Sequence, residues 1–225
     1  MARIAPNLLL LILAVNTLWF VFHAAGLGAR GLTQDLSAES RLWHPGAPVA
    51  TVALFFHMVL GAVLTVGAPL QAMPVLRNRL PWLHRRLGYA LAVIAVLTGL
   101  GGLIYIGLLG TVGGWWMSIA FAAYGGLVVL AAVNTVYHAL AKDLRQHARW
   151  ATRLVILAVG SWIYRMHYAF YFMLADGDGH SDAFTGWFDR VNVWAFYLPY
   201  LLVAEAVFAL QDRRRARLAR KAPTA

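Results

Sequence analysis

Long apolar runs alternate with short polar or basic segments along the whole chain. A helix needs about 20 mostly apolar residues to cross the hydrocarbon core of a bilayer, and six of these runs approach or exceed that length. They occupy residues 8–25, 49–70, 82–109, 115–140, 154–175 and 191–210, and a basic tail follows at residues 211–225. This pattern predicts an all-α bundle of six transmembrane helices that forms a single membrane domain over residues 1–225.

The first apolar run has two interpretations. A basic start, an apolar stretch and the small residues 24–26 are also typical of a secretory signal peptide. The run is, however, longer than a usual signal core, and it carries Trp19 and Phe20 near its far end, where aromatic residues are typical of an interfacial anchor. We therefore expect it to be retained as the first helix.

Residues 26–48 form the longest polar connection in the first half of the chain. Threonine is a favoured residue at the start of a helix, because its side-chain oxygen satisfies a free backbone N–H there. The segment that follows Thr33 is therefore predicted to contain a short surface helix that begins at this residue.

The composition restricts the class of protein. The 225 residues are 61% hydrophobic and only 12% charged, with a mean hydropathy of +0.65, which is typical of a multi-pass membrane protein. The chain has no cysteine. This absence excludes a disulfide framework, a Cys-ligated zinc or iron–sulfur site and a covalent haem attachment motif, so any metal or haem would need His or carboxylate ligands.

The basic residues lie in short clusters beside the apolar runs, so the net charge of +10 indicates membrane orientation rather than a nucleic-acid partner. If the N-terminus is cytoplasmic, three basic residues fall outside: Arg30, Arg41 and Arg190. Fifteen fall inside: Arg3, Arg77, Arg79, Arg85, Arg86, Lys142, Arg145, Arg149, Arg153, Arg213, Arg214, Arg215, Arg217, Arg220 and Lys221. The positive-inside rule therefore places both termini in the cytoplasm of a protein embedded in the bacterial inner membrane.

Histidines fall at two depths in this topology. His57 and His167 each lie eight residues below the outer end of a span, which is roughly 12 Å along a helix. His84 and His138 lie within a turn of the inner boundary, and His147 lies in the inner loop just before the fifth span. Two histidines on facing helices at one depth are what an axial haem ligand pair needs. The outer pair is therefore a candidate for one haem b iron, and His84 with His138 or His147 for a second.

Two other observations bear on the haem hypothesis. Small residues recur along the third span, and Gly61 lies one turn from His57, which offers flat space beside a ligand. Small residues also commonly allow membrane helices to pack closely, without any ligand. Likewise, a buried histidine can form a hydrogen bond between helices without binding a metal. His23, His44 and His180 are interpreted as exposed.

Among the residues of the predicted spans, Arg165 has the highest free-energy cost of placement in the membrane. An ionisable group at that depth needs an ion partner, water or a position in the bundle interior. Glu205 is the one carboxylate within the spans and is its predicted ion partner. A haem propionate or another anionic group of a ligand would also neutralise it, and Arg153 is a second candidate for a propionate. Arg165 and His167 are two residues apart and therefore face different sides of the helix.

Several strings resemble a bacterial family of predicted multi-pass membrane proteins of unknown function. They are Phe56-His57 with Gly61, Gly67-Ala-Pro69-Leu-Gln71, Arg77, His84-Arg85-Arg86-Leu-Gly88-Tyr89, His147-Ala-Arg149-Trp150-Ala-Thr-Arg153 and Arg165. The resemblance covers about residues 50–170. It implies a multi-pass membrane fold and directs attention to the polar residues His57, Gln71, His84, Arg85, His147, Trp150, Arg153 and Arg165.

The chain also resembles, in architecture only, the six-helix dihaem b-type cytochromes that pass electrons from ascorbate or quinol across a membrane. In that family the ligands pair the second helix with the fourth and the third with the fifth, whereas depth here pairs the second with the fifth and the third with the fourth.

Three functions remain open from the sequence. One is a haem-containing electron-transfer protein or a quinone-linked oxidoreductase. Another is a metal-dependent membrane enzyme in which His57, His84 and His147 hold one ion. The third is a transporter, a lipid-binding protein or an accessory subunit in which Arg165 binds an anionic group.

Overall fold

The computed structural model of the protein describes residues 5–221; Arg3 and residues 222–225, used above for orientation and for the tail, lie outside this range. Within it the chain forms helices joined by turns and contains no strand, which confirms the all-α fold class. The helices are α1 (Ala5–Asn16), α2 (Leu18–Thr33), α3 (Pro48–Ala72), α4 (Pro74–Arg79), α5 (Pro81–Leu109), α6 (Gly114–Leu140), α7 (Leu144–Ala175), α8 (Trp187–Ala195) and α9 (Leu198–Lys221).

Several of these helices are long and apolar enough to cross a membrane. In residues 5–221 these are α3, α5, α6 and the combined segment Trp187–Arg220 of α8 and α9, and the bent pair α1–α2 would make a fifth. The multi-pass membrane fold is therefore confirmed. Helix α7 is not among them, because Arg165 and His167 lower its hydropathy, so the count of six spans and the side of the termini stay predictions.

The first predicted span is two helices rather than one. Helices α1 and α2 meet at an angle of 43°, and the break is at Thr17, which is fully buried. The Thr17 hydroxyl donates a hydrogen bond to the carbonyl of Ala14 at 2.8 Å, so its polar group is satisfied inside the bend. The helical region is also longer than predicted, because α2 continues to Thr33.

The helix predicted to begin at Thr33 is not formed. Thr33 instead ends α2, and its hydroxyl donates back to the carbonyl of Ala29 at 2.9 Å, so it cannot cap a following helix. The next residues turn, since the Asp35 carboxylate accepts from the backbone N–H of Ser37 at 2.8 Å. Residues 34–47 form turns and bends without a helix.

Two further boundaries differ from the predicted ones. Helix α7 starts at Leu144, where the Asp143 carboxylate caps it by accepting from the Gln146 backbone N–H at 3.0 Å, so most of the predicted loop at residues 141–153 is helical. The last predicted span is broken between α8 and α9. The two residues at the break, Phe196 and Tyr197, are fully buried in the core that α6 and α7 form.

One end of the bundle collects residues 34–47, 110–113 and 176–186, which we call the acidic end. A guanidinium N–H of Arg41 donates to the carbonyl of Asp182 at 3.2 Å, which joins the first of these segments to the last.

The opposite end, which we call the basic end, contains residues 73–80, 141–153 and 211–221. Here Arg145 and Arg149 of α7 both bind Asp212 of α9. The chain therefore passes between the two ends in α3, α5, α6, α7 and the α8–α9 segment.

Close helix packing beside α3 positions the candidate site. Gly101 of α5 lies against α3 so tightly that a Cβ atom there would be 2.8 Å from the carbonyl oxygen of Ala53 and 3.1 Å from the Cβ of His57. Gly28 of α2 approaches the other side of α3 in the same way, 2.9 Å from the carbonyl of Phe55. Only glycine allows these contacts, so His57 is held between two closely packed neighbours.

Candidate binding site within the membrane

A cavity of about 570 Å³ lies among α2, α3, α5, α6 and α7. It extends to the acidic end, where Arg41, His44 and Phe184 contribute to its lining. Most of the wall is apolar, and its polar residues include His57, Arg165 and several side chains with hydroxyl groups. No aspartate or glutamate of the described residues lines it, so the cavity carries two guanidinium groups and no carboxylate.

His57 presents one ring nitrogen for a ligand. Its Nδ1 lies 2.6 Å from the carbonyl oxygen of Thr98 on α5, and because a carbonyl only accepts, Nδ1 carries the hydrogen. The other nitrogen, Nε2, has no hydrogen-bond partner in the described part of the chain. Gly102 keeps the ring face open, since a Cβ atom there would lie 3.2 Å from Nδ1.

The residues that line the cavity include Thr98 of α5, Tyr124 of α6 and Tyr164 of α7, each with a hydroxyl group. The Thr98 hydroxyl is buried and has no hydrogen-bond partner among residues 5–221. The Tyr124 hydroxyl is already occupied, because it donates to the carbonyl of Leu157 at 2.5 Å. The Tyr164 hydroxyl is 3.3 Å from the hydroxyl of Tyr168, which lies beyond the cavity.

Arg165 has no carboxylate partner in the described structure. Its Nη1 donates to the carbonyl of Ser161 at 2.9 Å, and its guanidinium carbon lies 4.6 Å from the centre of the Phe20 ring. Its side chain remains accessible and lines the cavity. A cation with only a carbonyl and an aromatic ring beside it favours binding of an anion.

The predicted ion pair between Arg165 and Glu205 is wrong. Glu205 binds Arg153 in a two-point contact, with Nε–Oε1 at 2.6 Å and Nη2–Oε2 at 2.9 Å. Arg153 also lies 4.4 Å above the ring of Trp150. The physical reason is depth: Arg153 and Arg165 are about three turns apart on α7, and Glu205 lies at the level of the former.

The family comparison fits this picture of a membrane-embedded site. The model of a family described as "Predicted membrane protein (DUF2306)" matches residues 54–208, which is more than half of the chain. The chain belongs to this family. The matched range contains the cavity walls that α5, α6 and α7 supply, together with His57 and Arg165. No curated protein and no solved structure shows significant similarity to the chain.

His167 has a different environment from His57 in this family member. Its Nδ1 lies 2.7 Å from the side-chain oxygen of Asn192, and its Nε2 lies 3.0 Å from the hydroxyl of Tyr200. Both ring nitrogens therefore have partners on α8 and α9, and the side chain does not line the cavity. The structure does not bring the two histidines together, and their pairing on one haem iron stays an untested prediction.

The other candidate histidines lie at the basic end. His147 Nδ1 is 2.9 Å from the carbonyl of Thr135, and His138 packs against the ring of Tyr137. No hydrogen bond or ring contact joins His84 to His138 in the described chain. His84 Nδ1 is buried without a partner.

The interpretation that gathers three histidines around one ion has no support in this geometry. His57 lies in the half of the bundle near the acidic end, whereas His84 and His147 lie at the basic end. No group of three or more His, Cys, Asp or Glu side chains that could hold a metal ion occurs among the described residues.

Sequence reasoning missed a buried polar cluster between α7 and α8. Asp189 is fully buried and accepts hydrogen bonds from Tyr168 and from His180, which was predicted to be exposed. His44, also predicted to be exposed, lines the mouth of the cavity, whereas His23 is exposed as predicted. The signal for the cluster was an aspartate directly before an apolar span, where a carboxylate needs several donors.

Proposed function

We propose that the cavity binds an amphipathic membrane ligand with an anionic head group. The observation that carries the proposal is the pair of guanidinium groups, Arg41 at the mouth and Arg165 inside, in a cavity without a carboxylate among the described residues. A cation within a membrane-spanning segment is costly without a counter-ion, and a bound anion removes that cost. The protein is thus assigned to the lipid-binding class.

The shape and chemistry of the cavity support this class of ligand. A volume of about 570 Å³ lies within the range of small-molecule sites, which is roughly 300 to 1,000 Å³. The apolar wall suits an acyl or isoprenoid chain, and Arg165 suits phosphate or carboxylate oxygens. The unprotonated Nε2 of His57 can accept a hydrogen bond from a hydroxyl group of the ligand head. The mouth at the acidic end admits the ligand.

Equilibrium binding to the full-length protein in nanodiscs of neutral lipid tests the proposal. The probe is radiolabelled lysophosphatidic acid, which has a phosphate head and one acyl chain, and the comparison ligand is the uncharged monoacylglycerol of the same chain. We expect the phosphate ligand to bind more tightly. Arg165→Gln should reduce that preference, whereas Arg190→Gln, a surface arginine outside the cavity, should not. Equal binding of the two ligands would reject the proposal.

A second candidate function is haem or quinone binding in the same cavity, which would make the protein an electron-transfer subunit. It is favoured by one observation: His57 donates Nδ1–H to a backbone carbonyl and leaves Nε2 free, as axial haem ligands do. A reduced-minus-oxidised absorption spectrum of the purified, haem-supplied protein tests the haem hypothesis. A sharp reduced band that His57→Ala removes would support it, and a featureless spectrum would exclude it.

We further propose that the protein crosses the bacterial inner membrane with the basic end in the cytoplasm and six spans in all. This orientation is supported by the distribution of Lys and Arg. The mouth of the cavity then faces the outer side.

A further inference from the structure

A continuous chain of hydrogen bonds leads from the cavity to the acidic end. Tyr164, which lines the cavity, has its hydroxyl 3.3 Å from that of Tyr168. The Tyr168 hydroxyl donates to Oδ1 of Asp189 at 2.7 Å, and Nδ1 of His180 lies 2.8 Å from the same oxygen. Each link is within hydrogen-bond reach, so the four side chains form an unbroken path.

The surroundings of Asp189 set the direction of these bonds. Its side chain is 0% exposed, and its other oxygen accepts backbone N–H groups from Ser181 and Gly186, each at 3.0 Å. Four donors on one carboxylate favour its ionised form. Because an ionised carboxylate can only accept, Tyr168 must donate to it, which leaves the Tyr168 oxygen free to accept from Tyr164.

The two ends of this hydrogen-bond chain have different surroundings: one end faces the cavity and the other lies at the acidic end. Tyr164 faces the cavity beside Arg165. His180 lies in the segment at residues 176–186 of the acidic end, its side chain is 19% exposed, and its Nε2 has no hydrogen-bond partner in residues 5–221. Between these ends, the ring of Tyr168 packs against Phe184 and Phe188, with ring centres 5.9 and 5.1 Å away, so apolar groups shield the middle of the chain.

We propose that Tyr164, Tyr168, Asp189 and His180 form a proton route between the cavity and the water at the acidic end. A proton from an acidic group in the cavity moves to the Tyr164 oxygen while the Tyr164 proton moves to Tyr168 and the Tyr168 proton to Asp189. The neutral His180 ring, whose Nδ1–H donates to Asp189 at rest, then turns so that its unprotonated Nε2 takes the proton from the Asp189 carboxylic acid, and Nδ1 releases its own proton to water. The acidic group keeps one additional negative charge, which Arg165 neutralises.

This inference deepens the proposed function, on which it rests for the identity of the natural proton donor. It implies that the ligand's head group carries an exchangeable proton, as a phosphate monoester or a carboxylic acid does. A head group that is permanently charged, or uncharged without an acidic proton, has no proton to release into such a route.

A photoacid fixed in the cavity tests the route without depending on ligand affinity. Because the chain has no cysteine, Ser161→Cys can be labelled selectively with a thiol-reactive naphthol. Ser161 lines the cavity one turn before Tyr164 on α7, so the naphthol hydroxyl is placed near the start of the chain. Excitation makes naphthol a strong acid, and its two fluorescence bands report the protonated and deprotonated forms.

We expect rapid deprotonation of the label in the full-length protein and a rate reduced about tenfold or more when Tyr168→Phe is added, because the ring stays but the relaying hydroxyl is lost. The matched control is Tyr171→Phe, whose hydroxyl donates to the carbonyl of Asp178 and is not part of the chain. Its rate should be unchanged. His180→Gln should leave deprotonation intact and slow the appearance of the proton in the outer water, read with a pH-sensitive dye.

Equal deprotonation rates in the Tyr168→Phe and Tyr171→Phe backgrounds would overturn the route, and so would absence of deprotonation with the chain intact. Lysophosphatidic acid binding is measured on the unlabelled Tyr168→Phe protein in parallel. A working route in a cavity that does not prefer the phosphate ligand would reject the proposed ligand class and retain the route. Preferential binding of the phosphate ligand without proton transfer along the four side chains would reject the route and retain the proposed ligand class.

Discussion

The two arginines Arg153 and Arg165 lie on the same helix, about three turns apart, and have opposite surroundings. Arg153 forms a two-point ion pair with Glu205 at the basic end, whereas Arg165 lines the cavity without a carboxylate in the described structure. The comparison separates two uses of the same side chain. A paired arginine stabilises helix packing, while an unpaired one in a cavity is available for a ligand.

The largest expected effect is all-or-none and concerns the two ends of the bundle. Reporter fusions after Arg41 and Asp178 should report the outer side, and fusions after Arg79, Arg145 and Arg217 the cytoplasmic side, because basic segments are retained there. An outer signal at Arg79 or Arg145 would reverse the assignment of the mouth of the cavity to the outer side.

The next effect distinguishes the two arginines directly. Arg165→Gln should weaken lysophosphatidic acid binding by about tenfold to 100-fold, which is the loss expected for a charge-assisted hydrogen bond. Arg153→Gln should leave binding unchanged, because its guanidinium is engaged by Glu205 outside the cavity. Binding isotherms in neutral nanodiscs measure both. Equal losses for the two variants would show that the helix charge, not the cavity, determines affinity.

A smaller effect is expected on stability. Removing one member of the Arg153–Glu205 pair should cost about 1 kcal/mol, less than for a buried pair, because the Glu205 side chain is 49% exposed. The double variant with Arg153→Gln and Glu205→Gln should recover much of that loss, since no charge is then left alone. Thermal unfolding in detergent measures the cycle, and purely additive losses would contradict a coupled pair.

The smallest effect concerns the space beside His57. In Gly102→Ala the added methyl group would lie 3.2 Å from Nδ1 of His57, so the ring must shift slightly, and ligand affinity should fall by about fivefold. Gly107→Ala is the matched control on the same helix, because a Cβ atom there meets nothing within 4 Å. Unchanged ligand affinity in both variants would show that His57 does not contact the bound ligand.

Sequence reasoning located the polar residues but assigned Glu205 to the wrong arginine. Arg165 was singled out by its energetic cost in an apolar span and His57 by its depth, and both residues line the same cavity. Glu205 was assigned to Arg165 because composition shows which charges exist but not which helix faces meet. The cluster around Asp189 was missed for the same reason. Its hydrogen-bond donors come from residues 168–186, and they come together only when α8 packs against the loop at residues 176–186.

The sequence by itself determined the membrane class, the approximate positions of the apolar helices and the separation of basic and acidic ends. These properties depend on local hydropathy and charge, which are readable along the chain. Only the tertiary structure decided that Thr17 is a bend, that Glu205 pairs with Arg153, and that Arg165 and His57 share a cavity whereas His167 does not. Such contacts depend on helix rotation, depth and close approach at glycines such as Gly101, and these are set by packing between distant segments.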